Sequence, residues 1–412
     1  MTGRPDHPES TDGTDTAAST AEIASPAGDL TPAAPPRRHV LRGLAIGAGS
    51  AGLGAVAATA WAGRSGPETH LREDVRAPVP VSPHGDHQAG IDRPATPPQH
   101  GCVTVLDLDR HGAPQVRSML AAVGEEITRL TTTGTPELPD GPGDVTVTVG
   151  IGPAVVRSLR GPDVPGAQAL PRFDSDADLD EQLSGGDLFL AVYGSDPNAT
   201  ADAMAAVTSA VGGGEVRWGQ RCFRGPGQGT IVRNPLGFHD GVIVPRSTEE
   251  LAENVWIPDG PAAGGTVLVV RRIVLDAEAF RSEPVARQEQ IVGRRRSDGA
   301  PLSGGGLTDE VDLLAKTADG EFRTPARSHV RAAHPSFTGS QLMLRRGYAF
   351  DNGGADSGLL FMCFQRDLRT FVRTQQRLDD SDDLMDYTRV SASGAFLVLP
   401  GFTSDRPLGS TL

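Results

Sequence analysis

Residues 187–223, DLFLAVYGSDPNATADAMAAVTSAVGGGEVRWGQRCF, place two short aliphatic runs on either side of an alanine-rich stretch with helical spacing. DLFLAVYG (187–194) reads as a strand, ATADAMAAVTSAV (199–211) as a helix and EVRWGQRCF (215–223) as a strand. Upstream, CVTVLDLD (102–109) and VTVTVGIG (145–152) read as strands around an amphipathic helix, APQVRSMLAAVGEEITRLTTTG (113–134). The order is β-α-β-β-α-β, that of a ferredoxin-like unit. A similar order returns after residue 245. GTVLVVRRIVLD (265–276) is a strand, residues 277–294 a charged helix, LMLRRGYAF (342–350) and LLFMCFQR (359–366) two close strands, DLRTFVRTQQRL (367–378) a helix and GAFLVLP (394–400) a last strand. The expected fold is α+β: two ferredoxin-like halves, 84–245 and 246–412, each an antiparallel sheet covered by helices, forming one dimeric α+β-barrel-like unit.

The 412 residues exceed what one compact domain usually needs. A net charge of −14 speaks against a nucleic-acid binder, which needs an excess of Lys and Arg to track phosphates. Three cysteines, Cys102, Cys222 and Cys363, form no CxxC or CxxCH, which removes thioredoxin-like, zinc-ribbon and covalently attached haem readings. Buried free thiols are expected, with one disulfide as the alternative.

Residues 1–36 are rich in Thr, Ala, Pro, Ser and Asp without apolar periodicity, the composition of a disordered segment. PPRRHVLRGLAIGAGSAGLGAVAATAWAG then pairs Arg37 with Arg38 ahead of a Gly/Ala-rich apolar run that ends in A-x-A at Ala60–Ala62. It resembles a twin-arginine export signal, placed at 37–62. Cleavage is expected, leaving no stable membrane span and an extracellular, cell-envelope or periplasmic protein; a short membrane anchor is the alternative. Residues 63–83 read as a linker, and the mature domain begins near His84.

GxSxG, HExxH, Walker A and strand-linked GxGxxG motifs are absent, and SGGGL (303–307) reads as a flexible loop. Three polar clusters in apolar frames remain: Asp240 in GFHDG, His329 in RSHVRAAHP, and Arg345 with Arg346 in LMLRRGYAF. Singly, Asp240 reads as a turn-former, His329 as an interior histidine and either arginine as an ion-pair partner. Together they form another proposition. An imidazole suits haem iron as axial ligand, and an acid with a guanidinium on the other face suits peroxide heterolysis, one moving the proton and the other steadying the charge. His239 is a rival base beside Asp240. Surface or structural roles are expected for His84, His87 and His334.

RWGQRCFRGPGQGTIVRNPLGFHDG (217–241) resembles the dye-decolorizing peroxidases, whose GxxDG motif GFHDG matches. HGDHQAGI (84–91), VTVGIGP (147–153), RQEQIVGR (287–294), GAPLSGG (299–305), RSHVRAAHP (327–335) and LRRGYAF (344–350) extend the resemblance over residues 84–404, toward the exported branch that includes deferrochelatase/peroxidase proteins. It implies one non-covalent haem b per chain, lying in the C-terminal half. By motif position Asp240 is the distal acid, His329 the proximal iron ligand and Arg345 the distal arginine, with Arg346 ranked second. Arg331 joins the cofactor-binding residues, and DDLMDY (382–387) makes Asp382 the carboxylate bonded to His329. The family motif usually continues with polar residues where this chain has GVIVP.

The implied activity is reduction of hydrogen peroxide at the expense of dye-like or other one-electron donors. Trp218, Trp256, Tyr348 and Tyr387 are candidate electron relays, with core or interface roles as the alternative. A second reading is a haem- or porphyrin-handling protein working with iron-uptake components. A third keeps the fold without haem. Self-association is left open.

Overall fold

In the computed structural model, which describes residues 78–109 and 112–412, two four-stranded units repeat one plan. The first contains β1 (His100–Asp107), α1 (Ala113–Thr132), β2 (Thr146–Ile151), α2 (Pro153–Arg160), β3 (Leu188–Gly194), α3 (Pro197–Val211) and β4 (Glu215–Phe223). A ribbon of β5 (Val232–Arg233) and β6 (His239–Asp240) follows, then α4 (Thr248–Asn254). The second unit runs β7 (Thr266–Leu275), α5 (Ala277–Ser282), α6 (Val285–Val292), α7 (His329–Ala332), α8 (Pro335–Thr338), β8 (Leu344–Arg345), β9 (Tyr348–Asp351), β10 (Ser357–Gln365), α9 (Leu368–Ser381) and β11 (Thr388–Val398). The expectations of disorder at 1–36, a signal at 37–62 and most of the linker at 63–83 fall outside the described residues.

The sheet order is β2-β3-β1-β4 in the first unit and β11-β7-β10-β9 in the second, antiparallel throughout. Two short seams join them, β4 to β9 at Phe223↔Ala349 and β11 to β2 at Leu397↔Ile151 and Val398↔Gly150. Eight strands therefore close into a barrel, which removes the open edges of both sheets. Carboxamides bridge each seam. Gln88 donates to the carbonyls of Val149 and Leu399, at 2.8 and 2.9 Å, while Gln220 and Asn352 exchange side-chain bonds of 3.1 and 3.2 Å.

The two-residue pleat sorts each strand into two faces. Phe189, Tyr193, Met362, Phe364 and Phe396 fill the barrel interior. On the outside of the first unit, Val147, Leu190 and Val192 meet Leu120 and Ile127 of α1 and Val207 of α3. On the outside of the second, Val267, Val269 and Cys363 meet Leu368 and Phe371 of α9.

The strand and helix order expected from sequence is present, with local differences. The 277–294 helix is two, α5 and α6, because Pro284 lacks the N–H that a continuous helix requires. LMLRRGYAF is also two strands, β8 and β9, sharing one lane beside β10 and interrupted at Arg346–Gly347. The last strand starts at Thr388, and α2 follows β2 without having been foreseen. All three cysteines are free thiols. No helix among the described residues is long and apolar enough to cross a membrane.

Candidate active site

The GFHDG stretch folds as the second strand of the β5–β6 ribbon and the turn after it. Asn234 Oδ1 accepts from the backbone N–H groups of Leu236 and Phe238 at 3.1 and 3.0 Å, and Gly237 takes a φ of 87° to close that turn. Gly241 has φ 71°, and a Cβ there would lie 2.2 Å from the Thr230 carbonyl oxygen, so only glycine fits. Phe238 packs edge-on to Phe280 of α5, with ring centres 6.0 Å apart. The ribbon that the sequence reading grouped with 84–245 thus leans on the second unit, where its acid meets the other site residues.

Asp240 is both turn residue and cavity residue. Its Oδ1 accepts from the Gly241 N–H at 2.6 Å and lies 3.6 Å from Nη2 of Arg345. Arg345, on β8, also donates from Nη1 to the Ile243 carbonyl at 3.1 Å. Its neighbour Arg346 points the other way, into the barrel, where it is 2% exposed and donates to the carbonyls of Gly90, Ile91 and Pro94. Strand alternation separates the two arginines that the sequence could rank only by motif position.

His329 opens α7. Its Nδ1 hydrogen-bonds Asp382 Oδ2 at 2.6 Å, which leaves Nε2 as the ring nitrogen without a partner among the described residues. Asp382 is buried, and its Oδ1 accepts from the Leu384 N–H at 2.9 Å. Burial pulls the imidazole down, but the Asp382 charge and hydrogen bond outweigh it and leave His329 above its ordinary value. Arg345 opposes that rise and Asp240 adds to it, so the two groups are electrostatically in view of the ring.

Asp240, Arg345, His329 and Asp382 line one cavity of about 260 Å³ open to the centre of a water-sized sphere. Its remaining wall is largely apolar, with Ile273, Leu275, Met343, Leu359 and Phe361 among the lining side chains. This combination fits a flat apolar macrocycle with a central metal. The wall would take the ring, and Nε2, unpartnered among the described residues and backed by a buried carboxylate, would be a donor to its metal.

Arg331 is not brought to this wall. Its Nη1 donates to the Leu313 and Thr324 carbonyls at 2.8 and 3.5 Å, and its guanidinium lies 4.4 Å from the centre of the Phe322 ring. His239 does line the cavity, with a buried Nδ1 that has no hydrogen-bond partner among the described residues and a pKa lowered by burial and then by Arg233. His334 bonds Glu310 at 3.4 Å at the same cavity, His87 stacks on Trp256 at 3.7 Å, and His84 reaches Thr128 at 3.2 Å. Of the relay candidates, Trp218, Trp256 and Tyr348 are buried, whereas half-buried Tyr387 donates to Glu283 at 3.2 Å.

Sequence reasoning missed Arg294. It lines the cavity and donates to the carbonyls of Gly299, Leu307 and Asp309, tying down the SGGGL loop; burial and then Arg345 lower its pKa. Its signal was its place closing RQEQIVGR, directly before two further arginines.

The profile described as Dyp-type peroxidase, N-terminal, matches residues 88–224, and that described as Dyp-type peroxidase, C-terminal, matches 232–403. A Dye-decolorizing peroxidase of Thermobifida fusca (strain YX) is 36% identical over 293 residues, which is 66% of this chain and 68% of the relative. A Deferrochelatase of Yersinia pestis is 31% identical over 409 residues, covering 89% of this chain and 92% of the relative. The crystal structure of a DyP-type peroxidase from Streptomyces coelicolor aligns with a TM-score of 0.76 at 32% identity, covering 82% of this chain and 97% of that one.

Proposed function

The chain belongs to the Dyp-type peroxidase family and is a peroxidase; on that premise we propose that its cavity holds one non-covalent haem b, with His329 Nε2 as axial ligand and Asp240 and Arg345 acting on hydrogen peroxide. The observation that carries this reading is the convergence on one apolar cavity of the 2.6 Å His329–Asp382 bond and the 3.6 Å Asp240–Arg345 pair.

Haem bound there would supply the redox chemistry of a two-electron peroxide reduction, with two one-electron donors as the source of the electrons. The chain's own part is proton and charge handling. The Asp240 carboxylate takes the proton from one peroxide oxygen and returns it to the other, which then leaves as water. Arg345 holds positive charge beside the oxygen on which negative charge develops as the O–O bond breaks. Asp382 fixes the His329 ring through Nδ1 and strengthens the donor character of Nε2. Overall, one peroxide takes two protons and two electrons to give two waters.

His329→Ala tests this reading. The purified protein is expected to show a Soret band that this variant lacks, and a variant retaining the wild-type band would remove the ligand assignment. Asp240→Ala is expected to keep the band and lose peroxide turnover.

The Deferrochelatase relative, which covers most of the chain, supports a second reading in which haem is handled for its iron and peroxidase activity is incidental. Iron released from bound haem, measured against peroxide turnover in the same preparation, separates the two. For residues 37–62 we propose twin-arginine export to the cell envelope or beyond, supported by Arg37, Arg38 and the Ala60–Ala62 pattern. Replacing both arginines with lysine and following where the protein accumulates tests that route.

A further inference from the structure

Asp382 and Asp383 are chain neighbours in opposite surroundings. Asp382 is buried and bonds His329, whereas Asp383 meets two arginines near the surface. Its Oδ1 accepts from Arg327 Nε at 2.5 Å and its Oδ2 from Nη2 of Arg287, on α6, at 3.0 Å. Arg327 stands two residues before His329, so the Asp382–Asp383 dipeptide grips the lead into α7 from both carboxylates. The backbone adds to the grip: the Asp383 N–H donates to the Arg327 carbonyl at 3.0 Å, and Arg327 Nη1 donates to the Asp380 carbonyl of α9 at 3.1 Å.

As a source of stability the cluster is minor, because Arg327 and Arg287 are 55% and 43% exposed and ion pairs open to water contribute little. Its position gives it another use. Burial raises Asp383, but the bonds from Arg327 and Arg287 outweigh it and leave the carboxyl below its ordinary range. Arg327 is raised, first by the hydrogen bond and charge of Asp383 and then by the charges of Asp386 and Asp382, so the buried carboxylate stands in its field. Without Asp383, the two guanidiniums would turn that field on exposed Asp386 and buried Asp382, and through the protein interior it is poorly screened. A cation acting on Asp382 stabilises its charge and weakens its pull on the Nδ1 proton of His329.

We propose that Asp383 is a positioning residue for the peroxidase reaction: it neutralises Arg327 and Arg287 and so reserves the charge of Asp382 for the His329 ring. The inference rests on His329 as axial ligand, and its test tells the two apart. The readout is the iron–histidine stretching band of the haem-loaded ferrous protein in resonance Raman, which rises in frequency as the imidazole becomes a stronger donor. The band is expected in the wild type and absent in His329→Ala. Asp383→Ala is expected to move it to lower frequency and to raise the ferric–ferrous midpoint potential, with the thermal midpoint nearly unmoved. Asp383→Asn keeps the shape without the charge and is expected to shift both in the same direction. Adding Arg327→Gln to Asp383→Ala is expected to bring band and potential back toward the wild type, because one unanswered cation is gone; a purely structural brace would be damaged further by that second change. The kcat/KM for peroxide should fall severalfold in Asp383→Ala and recover in the double variant. An iron–histidine band that survives in His329→Ala would overturn the axial assignment and this inference with it. A band that belongs to His329 but keeps its frequency in both Asp383 variants, or moves further down in the double variant, would overturn the role of Asp383 alone.

Discussion

The outer faces of the two units share one strand plan and differ in what covers them. In the first, α1 and α3, of 20 and 15 residues, lie across β2, β3 and β1 and fill the face with aliphatic side chains. In the second, α9 is the one helix longer than eight residues, and the rest of the cover is α5 to α8, of four to eight residues each, with the loops between them. Short helices cannot fill a face as continuously, and the cavity lies under them. Chemistry enters this fold where the cover is broken up, since loop ends carry polar groups that a long packed helix would exclude.

Arg345→Leu should sharpen that contrast most. It is expected to lower kcat/KM for peroxide by about 10²–10³ while leaving the thermal midpoint nearly unmoved, because the side chain sits at the open face. Leu120→Ala in α1 should do the reverse. This fully buried residue should cost about 2–5 kcal/mol in denaturant unfolding, with peroxide turnover per folded molecule unchanged. A large loss of turnover there would break the division of labour between the faces.

Arg346→Met probes the barrel interior and should come third. It orphans the carbonyls of Gly90, Ile91 and Pro94 and is expected to destabilise the protein by about 1–3 kcal/mol with little effect on peroxide turnover. His239 gives the smallest effect. Its folded pKa lies below the ordinary 6.5, so the unfolded chain takes up the proton first as pH falls. Its contribution to stability is full above 6.5 and declines below it, until the folded ring is protonated as well. His239→Gln should flatten the stability profile in that window, as read by thermal midpoints at stepped pH.

The fold was legible where burial imposes a simple pattern. β2 and β3 are buried along their whole length and announce themselves as aliphatic runs, and the repeated element order gives two units. Pro284 should have announced the break between α5 and α6, but the charged residues on both sides read as one surface. Within the site, Asp240, His329, Arg345 and Asp382 were found because each stands in a short local motif. Their convergence was not legible from spacing, since 142 residues separate Asp240 from Asp382 and only the ribbon's lean onto the second unit brings them together. Arg331 lies away from the cavity lining for a related reason: its direction is set by the Leu313 and Thr324 carbonyls of a hairpin whose course the sequence does not disclose.

The barrel's closure has a consequence for where such a protein can work. Backbone pairing at the two seams is brief, and Gln88 on one side and Gln220 with Asn352 on the other span the joins. Carboxamides neither gain nor lose a proton between strongly acid and strongly alkaline conditions. The Gln88 clasp therefore carries no titrating group of its own, whereas Gln220 and Asn352 are backed by Arg272 and Asp356, which pair with each other. Strong acidification, by protonating Asp356, reaches the β4–β9 side of the enclosure before the β11–β2 side.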